Sequence, residues 1–328
     1  MILDQDLIVP PDLKFSSLRA GIQSTENYSR WLSNRYQGSM SYLSKEERVI
    51  KINDTSLLAE GSKSMIVFLL NYKKHTISRE GYGKIASYAS FKDYHKFFPD
   101  IIDEFMIKNE LFLNGYKSYV DTGPISERGQ ARISSLGWVG KNSMLINQQL
   151  GSYTFIGVSI SDLSLDSSFV PSPDLCGMCT RCIDSCPTNA INKDRTIDSN
   201  LCISYHTIEN RGAIPKLVYD RMGDMLFGCD ICNDVCPWNR QTKESSIAQV
   251  QDDVFSNKMK LEDIAFLDKE SFDLNYKGSA IKRATFEGFA RNALIALHNT
   301  GRDEIVKESS KQFSDLRREQ GALLLERR

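Results

Sequence analysis

The stretch Cys176-Gly-Met-Cys179-Thr-Arg-Cys182-Ile-Asp-Ser-Cys186-Pro187 reads C-x2-C-x2-C-x3-C-P. Bacterial ferredoxins hold iron–sulfur clusters by this run: three thiolates on a tight loop take three corners of one cluster, and the fourth reaches the other cluster. A partner run is therefore required. Cys229-Asp-Ile-Cys232-Asn-Asp-Val-Cys236-Pro237 supplies it, one cysteine short, and Cys202 stands between the two to complete the set. The chain has eight cysteines, the number that two 4Fe–4S cubanes need. The crossed pattern assigns Cys176, Cys179, Cys182 and Cys236 to one cluster, and Cys186, Cys202, Cys229 and Cys232 to the other. Two structural zinc sites are the competing reading, since four cysteines also bind zinc tetrahedrally; the repeated C-P ending is unusual for zinc. Disulfides fit less well, because all eight cysteines crowd into one part of a long chain with no secretory segment.

A chain of 328 residues allows about two ordinary domains. Its 41% hydrophobic and 25% charged residues are those of a soluble globular protein. A net charge of −1 means that any basic surface must be local. Met1-Ile-Leu-Asp-Gln-Asp6 has no apolar core of a signal peptide, and the longest apolar run, Met65–Leu70, is far too short to span a membrane. A reducing cytoplasm suits oxygen-sensitive clusters, so a cytoplasmic location is expected.

Residues 12–37 read as helical, with Leu18, Ile22, Tyr28, Trp31, Leu32 and Tyr36 as apolar contacts. Gly38 to Leu43 breaks that pattern before a short helix carrying Lys45, Glu46, Glu47 and Arg48. Met65–Leu70 has the continuous apolar character of a strand buried on both faces. Tyr82–Phe98 reads as an amphipathic helix rich in aromatic residues, among them Tyr88 and His95, with Lys84, Lys92 and Lys96 on its other side. Pro99 suits the first position of the next helix, which Asn114-Gly115 closes. Tyr116–Val120 and Tyr153–Ile160 are strands, the second a central one. Asp162–Asp174 is a Ser/Pro/Asp-rich connector and marks a domain boundary.

Asp121-Thr-Gly-Pro124 follows a strand directly, which stands the Asp121 carboxylate at the strand end, where ligands tend to bind. A turn-capping acceptor explains the same residue. In Gly137-Trp138-Val-Gly140-Lys141-Asn142 two glycines allow close backbone approach, Trp138 offers a flat face and Lys141 could meet a phosphate. A hairpin corner accounts for it equally. Ala284–His298 is an amphipathic helix with Phe286, Ala290, Ala293, Leu294 and Leu297 on one face. It ends at Asn299-Thr-Gly301, and another helix runs from Arg302 to Leu325. Lys277, Lys282, Arg283 and Arg291 form a basic patch that is either a solvated face or a grip for phosphates.

Taken together, Ser87–His95, Val120–Arg128, Gly137–Asn142, Cys176–Ile191, Cys202–Tyr205, Cys229–Arg240, Lys277–Arg283 and Arg291–Leu297 make the chain resemble the epoxyqueuosine reductase family. The resemblance implies an α+β fold in three parts. Residues 1–170 would be a mixed-sheet, cobalamin-binding catalytic domain similar to that of reductive dehalogenases. Residues 171–242 would be a ferredoxin-like domain with two 4Fe–4S clusters, and residues 243–328 a short HEAT-like helical region that binds tRNA. The implied activity reduces epoxyqueuosine to queuosine at the wobble position of tRNA with a GUN anticodon, electrons passing singly from the clusters to cobalamin. Asp121 takes the position of the proton donor. Tyr88, His95, Asp121, Trp138, Lys141, Asn142, Ser204, Tyr205 and Asp230 fall in stretches that line the cofactor, and Lys282, Arg283 and Arg291 are candidate tRNA contacts. Asp93-Tyr-His95 lacks the glycine of the D-x-H-x-x-G cobalt-ligating stretch, because Phe98 occupies that position, so His95 is expected to contact the cofactor or to pack. A separate reductant protein and a monomeric state complete the expectation.

A plain electron carrier is the first alternative, but a whole domain's length precedes the first cysteine. Another cobalamin-dependent reductase, such as a dehalogenase, is the second; the absence of a twin-arginine export signal and the basic helical tail weigh against it.

Overall fold

An unbroken apolar run is stable only where both faces of its strand are covered, and the fold is built around one. In the computed structural model, which describes residues 12–21, 26–75, 79–165, 171–312 and 315–326, the strands are β1 (Leu13–Arg19), β2 (Ser64–Asn71), β3 (Lys84–Ile85), β4 (Tyr116–Val120), β5 (Trp138–Val139), β6 (Leu145–Ile146), β7 (Thr154–Ser161) and β8 (Met225–Phe227). The main sheet has the order β1-β2-β7-β4, and every neighbour in it is antiparallel. The expected mixed sheet is therefore corrected; the parallel pair is the short β3–β8 contact, which ties the first part of the chain to the cluster-bearing part.

The side chains of β2 alternate between two cores. Ile66, Phe68 and Leu70 join Phe91, Phe98, Ile102, Phe105 and Phe155 on one face, while Met65, Val67 and Leu69 join Leu136, Leu145, Val158 and Ile160 on the other. Each such buried side chain contributes about 1.5–3 kcal/mol. The first face is covered by helix Tyr94–Lys108. It lies so close to β7 that a Cβ at Gly157 would meet Ile102 Cδ1 at 2.4 Å. The second face is covered partly by helix Glu127–Ile133.

Three local expectations are overturned. Residues 13–19 form an edge strand rather than a helix, because Leu13 pairs with Leu70 and Leu18 with Met65 across the sheet; strand pairing overrides a weak helical period. The helical segment shrinks to Glu26–Ser33, in which Trp31 donates to Ile197 O at 2.7 Å; Ile22 and Met1–Asp6 lie outside the described residues. The aromatic stretch is not helical from Tyr82. It runs through β3 and a single 3-10 turn before the helix starts at Tyr94, where the Asp93 carboxylate accepts from His95 N at 3.1 Å. That cap places Pro99 inside the helix, and the helix ends at Lys108, before Asn114.

Helix Thr285–Asn299 is the axis of a third core. From Gly288 to Leu297 it is buried all round rather than on one face, with helices Leu261–Ala265, Asp303–Gln312 and Asp315–Leu325 around it. This core also takes in Ile203, Ile214, Val218 and Leu226, so the C-terminal helices are packed into the cluster-bearing part across the boundary expected at 242. The connector Asp162–Asp174 lies partly outside the described residues, which omit 166–170. Among the described residues no helix is long and apolar enough to cross a membrane.

Candidate active site

The two cysteine runs fold alike. Each ends in one turn of helix, Arg181–Asp184 with Cys182 and Ile231–Asp234 with Cys232, and the two turns pack against each other. All eight cysteines are free of disulfides. The Cys182 thiol feels Cys176 and Cys236, and Cys236 feels Cys176 and Cys179. Cys229 feels Cys202 and Cys186, while Cys232 feels Cys229, Cys202 and, across the divide, Cys182. Two neighbouring sets of four thiols result. Burial pushes the Cys229 thiol up to about 12 and raises Cys202 and Cys232 as well. Thiolates here need a nearby positive centre, the condition a cluster meets.

Cys176, Cys179, Cys182 and Cys236 line a cavity of about 50 Å³ together with Lys141, Asn142 and Trp238. The four cysteines thus line one common cavity. The Gly137–Asn142 stretch braces this cavity. It is the β5–β6 hairpin, and a Cβ at Gly137 would stand 2.2 Å from Ile146 O. Trp138 is buried against Trp238, and its indole N–H donates to Cys176 Sγ at 3.4 Å. Lys141 Nζ donates to Gly177 O at 2.8 Å and Cys179 O at 2.9 Å. Two of the three Lys141 ammonium protons thus go to carbonyls of the cysteine loop, and the stretch is the hairpin corner that is the other reading of it. Asn142 is buried beside Asn233, whose Oδ1 it approaches at 3.4 Å.

A second constellation lies where the sheet faces the cluster-bearing part. Asp121 ends β4 in a left-handed conformation, φ 60°, which a non-glycine residue adopts only when its surroundings impose it. Its N–H donates to Glu127 Oε1 at 2.6 Å. Its carboxylate is exposed, with 63% of the side-chain surface open, and Oδ2 lies 3.4 Å from His95 Nε2. The other imidazole nitrogen, Nδ1, bonds Asp93 Oδ1 at 2.7 Å. Tyr94 stacks on the His95 ring with centroids 4.1 Å apart, and Tyr94 in turn stacks on Phe155 of β7.

The electrostatics of this group separate its carboxyls. The His95 hydrogen bond holds the Asp121 carboxyl below the ordinary range, with Arg283 and Arg128 adding to the effect. Burial costs the His95 imidazolium, yet its bonds to Asp121 and Asp93 outweigh that cost and raise it to about 9. Glu127 is the carboxyl that burial raises, to about 8. Asp230, also raised by burial to about 6, accepts from Ser87 N at 2.6 Å and so joins the sheet domain to the second cysteine run. Tyr88 lies in the electrostatic reach of Asp230, Asp121, Glu209 and Asp93.

Tyr205 and Ser204 sit on helix Ile203–Ile208. The Tyr205 hydroxyl bonds Ser39 N at 2.8 Å and Ser39 Oγ at 2.7 Å, and a Cβ at Gly38 would come within 2.6 Å of its ring. Ser87 Oγ and Gln37 Oε1, around the same junction, are buried polar atoms with no hydrogen-bond partner. A ligand with polar edges would satisfy them.

The expected basic patch divides. Arg291 is fully buried and donates to the carbonyls of His206 at 2.6 Å, Asn210 at 2.9 Å and Gly212 at 2.5 Å; it does not reach solvent, so its expected contact with tRNA is corrected. Lys282 pairs with Asp273. Arg283 pairs with Glu209 at 2.7 Å and stands over the Tyr42 ring, facing the Asp121 crevice. Sequence reasoning assigned no site role to Asp93, Glu127, Glu209 or Tyr42. The first two are within a few residues of singled-out positions; nothing in the sequence connects Glu209 or Tyr42 to Asp121.

Comparison with known proteins gives a consistent picture. Residues 175–239 match the family model for a 4Fe-4S double cluster binding domain, and residues 53–122 match the model described as epoxyqueuosine reductase QueG, DUF1730. The epoxyqueuosine reductase of Cyclobacterium marinum is 41% identical over 268 residues, 80% of this chain and 84% of the relative. The structure of epoxyqueuosine reductase from Streptococcus thermophilus superposes with a TM-score of 0.82 at 23% identity, covering 95% of this chain and 85% of that one. A crystal structure of epoxyqueuosine reductase with an epoxyqueuosine-modified tRNA-Tyr stem loop superposes with a TM-score of 0.79 at 23% identity, covering 95% of each chain. At these identities the two structures establish a shared fold.

Proposed function

The chain belongs to the epoxyqueuosine reductase family, and on that premise we propose that it reduces epoxyqueuosine to queuosine at the wobble position of tRNA with a GUN anticodon, Asp121 serving as proton donor. The observation that carries the reading is that Asp121, at the end of a sheet strand, and Asp230, the residue after Cys229, both lie within electrostatic reach of Tyr88, which sets the sheet's carboxylate toward the second cysteine run. Cys176, Cys179, Cys182 and Cys236 would hold one 4Fe–4S cluster, and Cys186, Cys202, Cys229 and Cys232 the other. The nearness of Cys182 to Cys232 supports electron passage between them. Cobalamin, when bound, supplies the low-potential metal chemistry that removes the epoxide oxygen.

Supporting a cobalamin site at the junction are the unpartnered Ser87 Oγ and Gln37 Oε1 and the aromatic and carboxyl groups of Tyr88, Tyr205 and Asp230. Trp138, Lys141 and Asn142 support the first cluster instead. Residues 1–170, 171–242 and 243–328 would be the catalytic, cluster and HEAT-like tRNA-binding regions, with Arg283 and Lys282 presented to the tRNA backbone. Arg283, paired with Glu209 beside the crevice, would steer the anticodon phosphates toward Asp121, because a guanidinium forms directed bonds to phosphate.

The chemistry asks four things of these residues. They must bind the stem loop, orient the epoxide, keep water from the reduced centre, and protonate the departing oxygen. General acids of this kind contribute about 10²–10⁴-fold. Anaerobic preparation with cobalamin, metal analysis and turnover of an epoxyqueuosine-modified stem loop test the assignment together. About eight irons per chain and formation of queuosine are expected. Stoichiometric zinc without iron, or no product from fully loaded protein, would contradict it.

A further inference from the structure

Reducing an epoxide to an alkene consumes two electrons and two protons. Both C–O bonds break, the carbon–carbon π bond forms, and the oxygen leaves as water. The electrons would come from a one-electron reductant, and the two clusters held by the eight cysteines would relay them. A single carboxyl delivers one proton, so it must be recharged within the same turnover. In this structure Asp121 does not hold a proton at rest: its carboxyl is kept below the ordinary range by His95. The proton is one step back, on an imidazole whose Nε2 lies 3.4 Å from Asp121 Oδ2.

We propose that His95, aligned by Asp93, is the source of the protons that Asp121 passes to the departing oxygen. Asp93 Oδ1 accepts from His95 Nδ1 at 2.7 Å and also from the His95 backbone N–H at 3.1 Å, fixing both ring and main chain. Tyr94 stacks on the ring face at 4.1 Å and leaves Nε2 directed at Asp121. With Nδ1 committed to Asp93, Nε2 is the nitrogen that gives up the proton. His95 then regains one from solvent, since 29% of its side chain is open. His95 acts through Asp121 and is a positioning and proton-supplying residue rather than one that touches substrate.

The groups acting on this pair come from several elements. Asp93 and Asp121 face the imidazole, and Glu127 is within its reach; Lys96 acts on Asp93; Glu127, Arg128 and Arg283 act on Asp121; Tyr88 and Tyr94 lie within reach of both carboxylates; and Tyr42 lies within reach of Asp121. The imidazolium standing at about 9 keeps the reservoir full at neutral pH.

The inference rests on the reading of Asp121 as proton donor, and the experiment separates the two. In cluster-loaded, cobalamin-bound protein, His95→Ala should lower kcat on the modified stem loop about 10²-fold, leave KM unchanged and lose the fall in kcat near pH 9. Imidazole added to the buffer should restore part of the rate. Independently of any His95 variant, NMR titration of the protein's four histidines should show His95 protonated up to about pH 9. In Asp121→Asn it should move down by at least about one unit. An unchanged kcat and pH profile in His95→Ala, or a His95 that titrates normally and ignores Asp121→Asn, overturns the inference and leaves Asp121 in place. Wild-type turnover by Asp121→Asn would instead remove the reading beneath it.

Discussion

Trp138 donates its indole N–H to the sulfur of Cys176 at 3.4 Å. Hydrogen bonds to cluster sulfurs stabilise the more negative, reduced state and raise the potential. Trp138→Phe keeps the packing against Trp238 but removes the donor. A bond of about 1 kcal/mol corresponds to a few tens of millivolts, roughly 40 mV, for a one-electron couple. The cluster held by Cys176 should therefore shift negative by about that amount in an EPR-monitored redox titration, while the other cluster stays put. Equal shifts in both would show that the variant perturbs the whole module.

Arg291 joins helix Thr285–Asn299 to the carbonyls of His206, Asn210 and Gly212. Removing it leaves buried acceptors unsatisfied and opens a cavity, so Arg291→Ala should cost about 3 kcal/mol or more in denaturant unfolding. Lys cannot reproduce the planar fork, and Arg291→Lys should recover little. Any loss of tRNA binding should track the loss of folding, with the salt dependence of the folded fraction unchanged.

Lys277, Lys282 and Arg283 are the members of the expected patch that reach the surface, and Lys282 and Arg283 are the two expected to contact tRNA. If they contact phosphates, the double alanine variant should bind tRNA more weakly and lower the slope of log K against log salt by roughly two units. Unchanged binding at every salt concentration would make this patch a solvated face, with each charge answered by Asp273 or Glu209.

The cysteine spacing made the cluster module legible because ligand geometry fixes residue spacing directly. Strands β2, β4 and β7 were legible as well, through apolar runs and the Asp-Thr-Gly-Pro turn. β1 was not, since an edge strand with Lys14, Ser16 and Ser17 carries little periodic signal and is set by pairing with β2. Arg291 read as surface charge because its acceptors are carbonyls some 80 positions away. Asp121 could be placed at a strand end from sequence. The proton state of Asp121 could not, because it depends on His95 from another element.

His95 also links stability to pH. Its folded value, about 9, exceeds the ordinary value of about 6.5, so folding favours the protonated ring. The stabilisation is complete below about 6.5 and is lost as pH rises through about 9. The difference in melting temperature between wild type and His95→Gln should thus be largest near pH 6 and shrink toward pH 9.5. A constant difference across that window would mean that packing alone is responsible.

Turnover by Asp121→Asn tests the central claim most directly. The amide keeps the shape of the side chain but cannot deliver a proton. With both clusters and cobalamin bound, single-turnover conversion of an epoxyqueuosine-modified stem loop should fall by about 10²–10⁴-fold. Conversion at the wild-type rate by that same loaded variant would contradict the account.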